Sequence, residues 1–286
     1  MCGYVTIDKY CLKCVTINIC TNLVLSIGEL SYNMKCLGLV FFLTRVFEIF
    51  ANGNITYQVP EYILPCKRND VNINKCLINT FNHLRPYLKD GISEIDVPSI
   101  DPLVIDNLVM ENGRGPVRVK AIFFNITTLG ASNYTVSEIK TNLDKYIIEL
   151  GIILPKVEVR GEYDVDGNVL LFPIKSRGDF VALFTNVEGV GKIFGKEITN
   201  EAGVKFMKVD KLLVDFRLKK SRFRIKDIVN HGNLIGEAMN QFINANSKEI
   251  IKEMKPAASA AIASHFKSFL NRAFVKLPMQ VWLPDS

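Results

Sequence analysis

The stretch that most constrains the fold is LPKVEVRGEYDVDGNVLLFPIKSRGDFVALFTNVEG, residues 154–189. In its first part, apolar side chains alternate with acidic or basic ones. The apolar members are Val157, Val159, Tyr163 and Val165. Because successive side chains of a strand point to opposite faces, this alternation predicts a strand with one dry and one wet face. Asp166-Gly167 is a strong turn signal, so we expect a β-hairpin that turns there.

The neighbouring segments also have strand character. Residues 117–129 alternate and are rich in β-branched and aromatic residues, and short strand patterns follow one another as far as residue 226. Together they predict an antiparallel meander of about seven strands with one polar face. Residues 136–147 fit either a short helix or an edge strand.

Helical spacing occurs on both sides of this meander. Residues 74–91 have a helical period, with a kink or an early end expected at Pro86. Residues 233–254 form a second helical pattern, which Pro256 should break or restart before it continues to about Phe274. Strands followed by one long helix, without β–α–β alternation, predict an α+β fold. No linker divides residues 54–286, so we predict one domain there.

Residues 34–53 have the pattern of a secretory signal peptide. A short basic start precedes an apolar run, and Ala51 and Gly53 offer small side chains before a cleavage point. The apolar run is too short to cross a bilayer, which requires about 20 such residues. We interpret residues 1–33 as the product of an over-extended gene model or as an unstructured segment.

Cys66 and Cys76 are the two cysteines that remain after residue 53. In an oxidising compartment such a pair favours a disulfide over a metal site, which would need four ligands. Closing so short a loop would stabilise the fold by about 3 kcal/mol. Three N-x-S/T sequons agree with an extracellular glycoprotein, at Asn54, Asn125 and Asn133.

Charge and motifs argue against several classes of function. The net charge is +6, but the cations are dispersed, and the densest basic run is RLKKSRFRIK, residues 217–226. A nucleic-acid surface would cluster its cations around aromatic side chains, so no nucleic-acid partner is expected. No hydrolase, zinc-protease or phosphate-loop motif occurs, so we predict no enzyme activity, no cofactor and no metal.

From about Pro60 to its end, the chain resembles the insect takeout and juvenile-hormone-binding protein family. The similarity rests on colinear motifs: LPCKRNDVNINKC, LKDGISEIDVPSIDPLVI, LPKVEVRGEYDVDGNVLLFPIKSRGDF and MNQFINANSKEIIKEMKPAASAAIASHF. The resemblance implies a single highly curved antiparallel sheet wrapped around a long C-terminal helix, with an elongated internal hydrophobic tunnel. It also places the family's paired cysteines on Cys66 and Cys76. Because no cysteine follows residue 76, the chain is closer to the takeout branch than to hormone carriers with a second disulfide.

The function predicted from these features is a secreted, extracellular, monomeric carrier of a small hydrophobic ligand. The ligand would be juvenile-hormone-like (a terpenoid) or fatty-acid-like, and no stable membrane insertion is expected. The predicted lining comprises Val157, Val159, Tyr163, Phe184, Phe206, Phe216, Met239, Phe242 and Phe266. The Tyr163 hydroxyl would bind either a ligand oxygen or another protein group. The alternative function is a membrane-docking lipid-transfer or signalling protein that uses the basic segment 217–226.

Overall fold

A curved antiparallel sheet and a long C-terminal helix dominate the computed structural model, which describes residues 58–227 and 233–285. Within these residues the sheet has six strands: β1 (Leu103–Asn112), β2 (Val117–Leu129), β3 (Thr135–Asn142), β4 (Ile147–Val169), β5 (Phe172–Thr199) and β6 (Lys205–Asp227). They are ordered β1-β2-β4-β5-β6, and β3 pairs with the first part of β4. The prediction of an α+β fold with a curved sheet is confirmed.

Residues 136–147 form an edge strand rather than a helix, since β3 covers most of them. The predicted number of about seven strands in the meander was too high. The cause is that β5 runs without interruption for 28 residues, where the sequence suggested separate strands.

The β4–β5 hairpin does not turn at Asp166-Gly167. These residues are paired with β5, and the turn consists of Leu170 and Leu171, between the paired Val169 and Phe172. Gly167 serves another purpose, because its φ is +143° and a Cβ there would clash with the Arg118 carbonyl oxygen. The glycine is therefore required for close approach of β2.

The helices are α1 (Ile73–His83), α2 (Arg85–Asp90), α3 (Asn233–Ala245), α4 (Ser247–Phe274) and α5 (Met279–Trp282). Three 3₁₀ turns complete the elements: Ser93–Ile95, Ala131–Asn133 and Leu143–Lys145. The predicted interruption near Pro86 is confirmed, since Leu84 separates α1 from α2.

The predicted break at Pro256 was wrong. Helix α4 continues through Pro256, and the interruption lies at Asn246 instead. Pro256 and Lys252 are both exposed. Water can therefore hydrate the Lys252 carbonyl, which proline leaves without a helical partner.

The core is divided between two clusters of buried side chains. The larger one, which we call the closed end, joins α1, the C-terminal part of α4, α5 and one end of the strands. Its members include Leu77, Ile95, Ile148, Met207, Phe269 and Trp282. The smaller one, the hairpin cluster, consists of Val117, Val119 and Val169. Ile148 and Val169 lie roughly 70 Å apart along β4 at the usual rise per residue.

The Cys66–Cys76 disulfide is present and belongs to the closed end. The same segment is joined to the C-terminal residues, because the Cys66 amide donates to the Trp282 carbonyl at 3.0 Å and the Arg68 amide to the Pro284 carbonyl at 2.8 Å. Both ends of the described chain are therefore fixed at the closed end.

Candidate functional site

Between the two clusters, an aromatic surface covers the concave side of the sheet. We call it the central face. It comprises Phe123, Val157, Val159, Tyr163, Phe180, Ala182, Phe184 and Phe223, which cross-strand pairing places on one side of β2, β4, β5 and β6. The Phe123 and Phe180 ring centroids lie 5.2 Å apart, and those of Phe184 and Phe223 lie 5.8 Å apart, both edge to face.

The large side chains of the central face are not packed into either core cluster. Phe123, Phe180, Phe184 and Phe223 are only partly buried. Tyr163 and Ala182 beneath them are buried, with 5% and 3% of their surface exposed. An aromatic side chain gains most when it is fully covered, so this surface offers apolar area that the described residues leave partly uncovered.

Helix α4 lies across the open side of the sheet. It packs against both edge strands, β1 and β6. On the β1 side, the Asn112 side chain donates to the Glu253 carbonyl at 3.2 Å. On the β6 side, Lys255 forms an ion pair with Asp215 at 2.6 Å. The sheet and the helix thus face each other across the same interior.

Small residues dominate the middle of α4. Its sequence there is PAASAAIASHF, with alanine at 257, 258, 260, 261 and 263. Towards the closed end, the helix instead carries Phe266, Phe269 and Phe274. The alanines thus lie between Ile250 and Met254, which pack against the hairpin cluster, and Phe266, which packs against the closed end. They favour open apolar space there, because alanine adds no side-chain volume beyond its methyl group.

Two polar atoms on α4 are buried without a hydrogen-bond partner among the described residues, Ser259 Oγ and His265 Nε2. Burial lowers the pKa of His265, and the positive charge of Arg272 lowers it further, while Asp106 acts in the opposite direction. The imidazole is therefore neutral at physiological pH. Buried polar atoms are normally paired, so both atoms are candidates to bind a ligand oxygen.

The Tyr163 hydroxyl already has a partner in the protein. It lies 2.7 Å from Ser176 Oγ, and both residues are buried. Of the two roles expected for this hydroxyl, the structure provides the internal hydrogen bond.

Four of the nine residues predicted to line the site lie together on the central face: Val157, Val159, Tyr163 and Phe184. Phe216 is partly buried on β6, with the Lys255 ammonium 5.8 Å from its ring centroid. Met239 is partly buried on α3. Phe242 packs against the hairpin cluster, and Phe266 packs against the closed end.

Phe206 points away from the side chains expected to accompany it. Its neighbours Met207 and Val209 are buried at the closed end, so Phe206 lies on the opposite side of β6. The reason is a register shift between Phe194 and Gly195, which leaves Asp210 without a cross-strand partner. This bulge moves the inward positions from odd numbers before it to even numbers after it.

Near Asn186, whose φ is +51°, the strands change a second time which positions, odd or even, face inward. On β6, the partly buried positions are even from Leu212 to Leu218 and odd from Ser221 to Ile225. Strict alternation along the sequence therefore misses Phe223. It could have found Phe180, four residues before Phe184 and in the same phase. Ser259 and His265 have no distinguishing sequence signal.

The basic segment 217–226 lies along β6, an edge of the sheet, with exposed cations at Arg217, Lys219, Lys220, Arg222, Arg224 and Lys226. An open groove of about 570 Å³ lies between this strand and α3. It is lined mostly by polar and charged side chains, including Lys220, Arg222 and Asn244. This groove therefore lacks the apolar character of the central face.

Of the sequon asparagines, Asn125 and Asn133 are exposed, and the Asn125 amide donates to Glu162 Oε1 at 2.7 Å. Asn54 lies outside the described residues, as do the segments 1–33 and 34–53. In the part of the chain that the structure describes, no helix has the length and apolarity to cross a bilayer. The same part contains no group of three acidic, histidine or cysteine side chains suited to a metal ion.

Comparison with known proteins agrees with this architecture. The family model described as haemolymph juvenile hormone binding protein matches residues 41–284. The circadian clock-controlled protein daywake of Drosophila melanogaster is 22% identical over 224 residues, 75% of this chain and 85% of that protein. Its counterpart in Drosophila yakuba is 20% identical with the same coverage. The crystal structure of Takeout 1 from Epiphyas postvittana superposes with a TM-score of 0.65 at 21% identity, covering 77% of this chain and 98% of that structure.

Proposed function

The chain belongs to the haemolymph juvenile hormone binding protein family, a family of hydrophobic-ligand carriers, and we propose that it carries a small terpenoid or fatty-acid-like ligand without catalysing a reaction. The ligand would lie in an elongated tunnel between the central face and the alanine-rich middle of α4. The observation that carries this proposal is the set of partly uncovered aromatic rings opposite small residues. Burial of apolar ligand surface would supply about 25 cal/mol per Å².

The ligand that fits best has one oxygen function on an apolar body. Ser259 Oγ and His265 Nε2 are buried and unpaired among the described residues, and both can hydrogen-bond an ester, hydroxyl or carboxyl oxygen. They lie on the helix, so the oxygen would face α4 while the hydrocarbon lies against the strands. This assigns the polar role to α4 rather than to Tyr163, whose hydroxyl already pairs with Ser176.

Native mass spectrometry and lipid extraction of the purified protein test the proposal directly. A co-purifying hydrophobic molecule, displaced by a terpenoid alcohol or a fatty acid, is the expected result. A protein that binds neither a fluorescent fatty acid nor a terpenoid would contradict it.

Two matched substitutions locate the site. Val159 lies on the central face, whereas Val181 lies on the convex side of the neighbouring strand, paired with Arg160 and Arg224. Val159→Phe should fill ligand space and weaken binding of a fluorescent fatty acid by about tenfold. Val181→Phe adds the same volume outside and should leave binding unchanged. Equal effects of the two variants would place the ligand elsewhere.

We also propose that the protein is secreted as a monomeric glycoprotein, with residues 34–53 as its signal peptide and 54–286 as the mature domain. The exposed sequons Asn125 and Asn133 and the Cys66–Cys76 disulfide support this. N-terminal sequencing of the natural protein should begin near Asn54. A mature chain that retains residues 1–33 would contradict both the signal peptide and the interpretation of that segment.

A second candidate function is membrane docking through the basic segment 217–226, favoured by the exposed cations of β6. Such docking would depend on anionic lipid and would weaken as salt is raised. The double variant Arg222→Glu/Arg224→Glu should then abolish binding to anionic vesicles. A protein that does not bind anionic vesicles would favour the soluble carrier.

A further inference from the structure

The tip of the β4–β5 hairpin exposes a run of consecutive apolar residues. The run is Leu171, Phe172 and Pro173, which follow the half-buried Leu170. Leu171 has 92% of its surface exposed and Phe172 has 58%, and Pro173 is exposed as well. Long exposed apolar runs are rare in soluble proteins unless they serve a function, because they favour association with other apolar surfaces.

The backbone makes this choice of residues unfavourable. Leu170 has a φ of +55°, in the left-handed region that glycine, asparagine and aspartate adopt at low cost. Two-residue hairpin turns usually contain such residues, as in Asn-Gly. Leucine at this turn adds backbone strain, and the exposed Leu171 recovers none of it through packing within the fold.

Contacts beneath the tip hold it in place. The Leu170 side chain packs against the hairpin cluster. The Phe172 ring contacts Phe242 of α3, with centroids 5.4 Å apart. These two anchors leave Leu171 as the part of the turn that projects furthest from the protein.

Positive side chains lie close behind the tip. Arg118 pairs across the strands with Asn168, two residues before the turn, and Lys175 lies two residues after Pro173. Arg114 is exposed in the loop between β1 and β2, which ends beside the tip because Val117 pairs with Val169. Asp166 offsets part of this charge, since Lys175 lies 3.9 Å from its carboxylate.

We propose that the tip inserts into the outer leaflet of a lipid bilayer. Leu171 and the exposed edge of Phe172 would enter the boundary between headgroups and acyl chains, and the flanking cations would remain among the headgroups. The tip is too short to cross the bilayer, so the contact is peripheral and reversible. It goes beyond ligand carriage, because it gives the protein a place on a membrane surface.

Vesicle co-sedimentation tests this directly, with phosphatidylcholine vesicles and with vesicles that also contain phosphatidylserine. Leu171→Ser should weaken partitioning into both by about tenfold, the loss expected for one buried leucine. The matched control is Val71→Ser, since Val71 is 97% exposed in the segment before α1. That variant should partition like the original protein.

A fluorescence measurement separates insertion from misfolding. The chain has a single tryptophan, Trp282, which is buried in the closed end. In Leu171→Trp the added indole should shift its emission to the blue when vesicles are added, whereas Val71→Trp should show no shift. Both positions are exposed, so neither substitution disturbs the core.

Three outcomes would overturn the proposal. Leu171→Ser could bind vesicles as well as the original protein. Binding could instead disappear with Arg222→Glu/Arg224→Glu and persist in Leu171→Ser, which assigns it to the basic segment. Finally, Leu171 could mediate a concentration-dependent dimer, seen by size exclusion and lost in Leu171→Ser, without binding to vesicles.

Discussion

The closed end and the central face are built on the same strands, yet they are packed differently. At the closed end, Leu77 and Cys66 are at most 1% exposed, and backbone hydrogen bonds from Cys66 and Arg68 join the start of the described chain to its C-terminal residues. At the central face, Phe180 and Phe184 remain partly buried, although β5 runs through both regions. The strands themselves therefore do not determine how fully the interior is filled.

The difference arises from the helix opposite. Helix α4 places Phe266, Phe269 and Phe274 against the closed end, and α1 and α5 add further apolar side chains there. Over the central face the same helix offers mainly alanine. One end is consequently a filled core, and the middle is the region that we propose for the ligand.

The largest expected effect is a substitution in the closed end. Leu77→Ala removes a side chain that is 1% exposed, so it should lower the free energy of unfolding by about 3 kcal/mol through lost burial and a new cavity. Phe184→Ala removes more atoms but should cost less, because the ring is only partly covered. Urea denaturation of both variants, without ligand, measures the difference. A larger loss for Phe184→Ala would mean that the central face is a filled core.

The disulfide should come next. Replacing Cys66 and Cys76 by serine opens the loop between them, whose ends are ten residues apart in sequence. The free energy of unfolding should fall by about 2–3 kcal/mol. Because the bridge belongs to the closed end and not to the central face, affinity for a fluorescent fatty acid should be retained at temperatures where the variant is folded. Thermal unfolding together with ligand titration tests both parts. Lost affinity in a fully folded variant would show that the two regions are coupled.

Local sequence patterns predicted those parts of the fold in which the position of a residue depends only on its own segment of the chain. The alternation from Val157 to Val165 predicted which side of the second half of β4 is apolar. The cysteine pair was predicted from the expected compartment and from the family resemblance. Strand alternation and the number and spacing of cysteines can both be read directly from the sequence.

Other features depend on contacts between distant residues. Gly167 resembled a turn because of Asp166, but it is needed for the approach of Arg118 from another strand. Phe206 and Phe216 both have even numbers, so simple alternation would place them on the same side of β6. The bulge at Asp210 places them on opposite sides. The unpaired polar atoms of Ser259 and His265 can be recognised only once the helix is placed against the sheet.

A smaller effect is expected from the asparagines that join helices to the edge strand β6. In the closed end, the Asn271 side-chain amide accepts a hydrogen bond from the Val209 backbone N–H at 2.7 Å and donates one to the Val209 carbonyl at 3.0 Å. Beside the central face, the Asn244 side-chain amide accepts a hydrogen bond from the Phe223 backbone N–H at 2.8 Å and donates one to the Phe223 carbonyl at 2.7 Å. Asn271→Ala should cost about 2 kcal/mol, since Val209 is 1% exposed and water cannot replace the amide.

Asn244→Ala should cost about 1 kcal/mol, because Phe223 is only partly buried and its backbone can be hydrated. The variant should instead show faster hydrogen exchange in α3 and β6, which would remain protected in Asn271→Ala. Equal losses of stability in the two variants would remove the contrast between the regions.

The smallest expected effect is the pH dependence contributed by His265. Its pKa is lowered in the folded protein by burial and by Arg272, with Asp106 opposing, whereas the unfolded chain has the ordinary value of 6.5. Below that value the unfolded state binds more protons, so the stability contribution is complete above pH 6.5 and is lost as the pH falls through the folded pKa. His265→Gln should flatten the decline in urea midpoint between pH 7.5 and 5 relative to the original protein.

If bound ligand covers the imidazole, loading the protein should extend its stability to lower pH, and this extension should disappear in His265→Gln. A variant whose midpoint falls in parallel with that of the original protein would show that the acid sensitivity arises elsewhere.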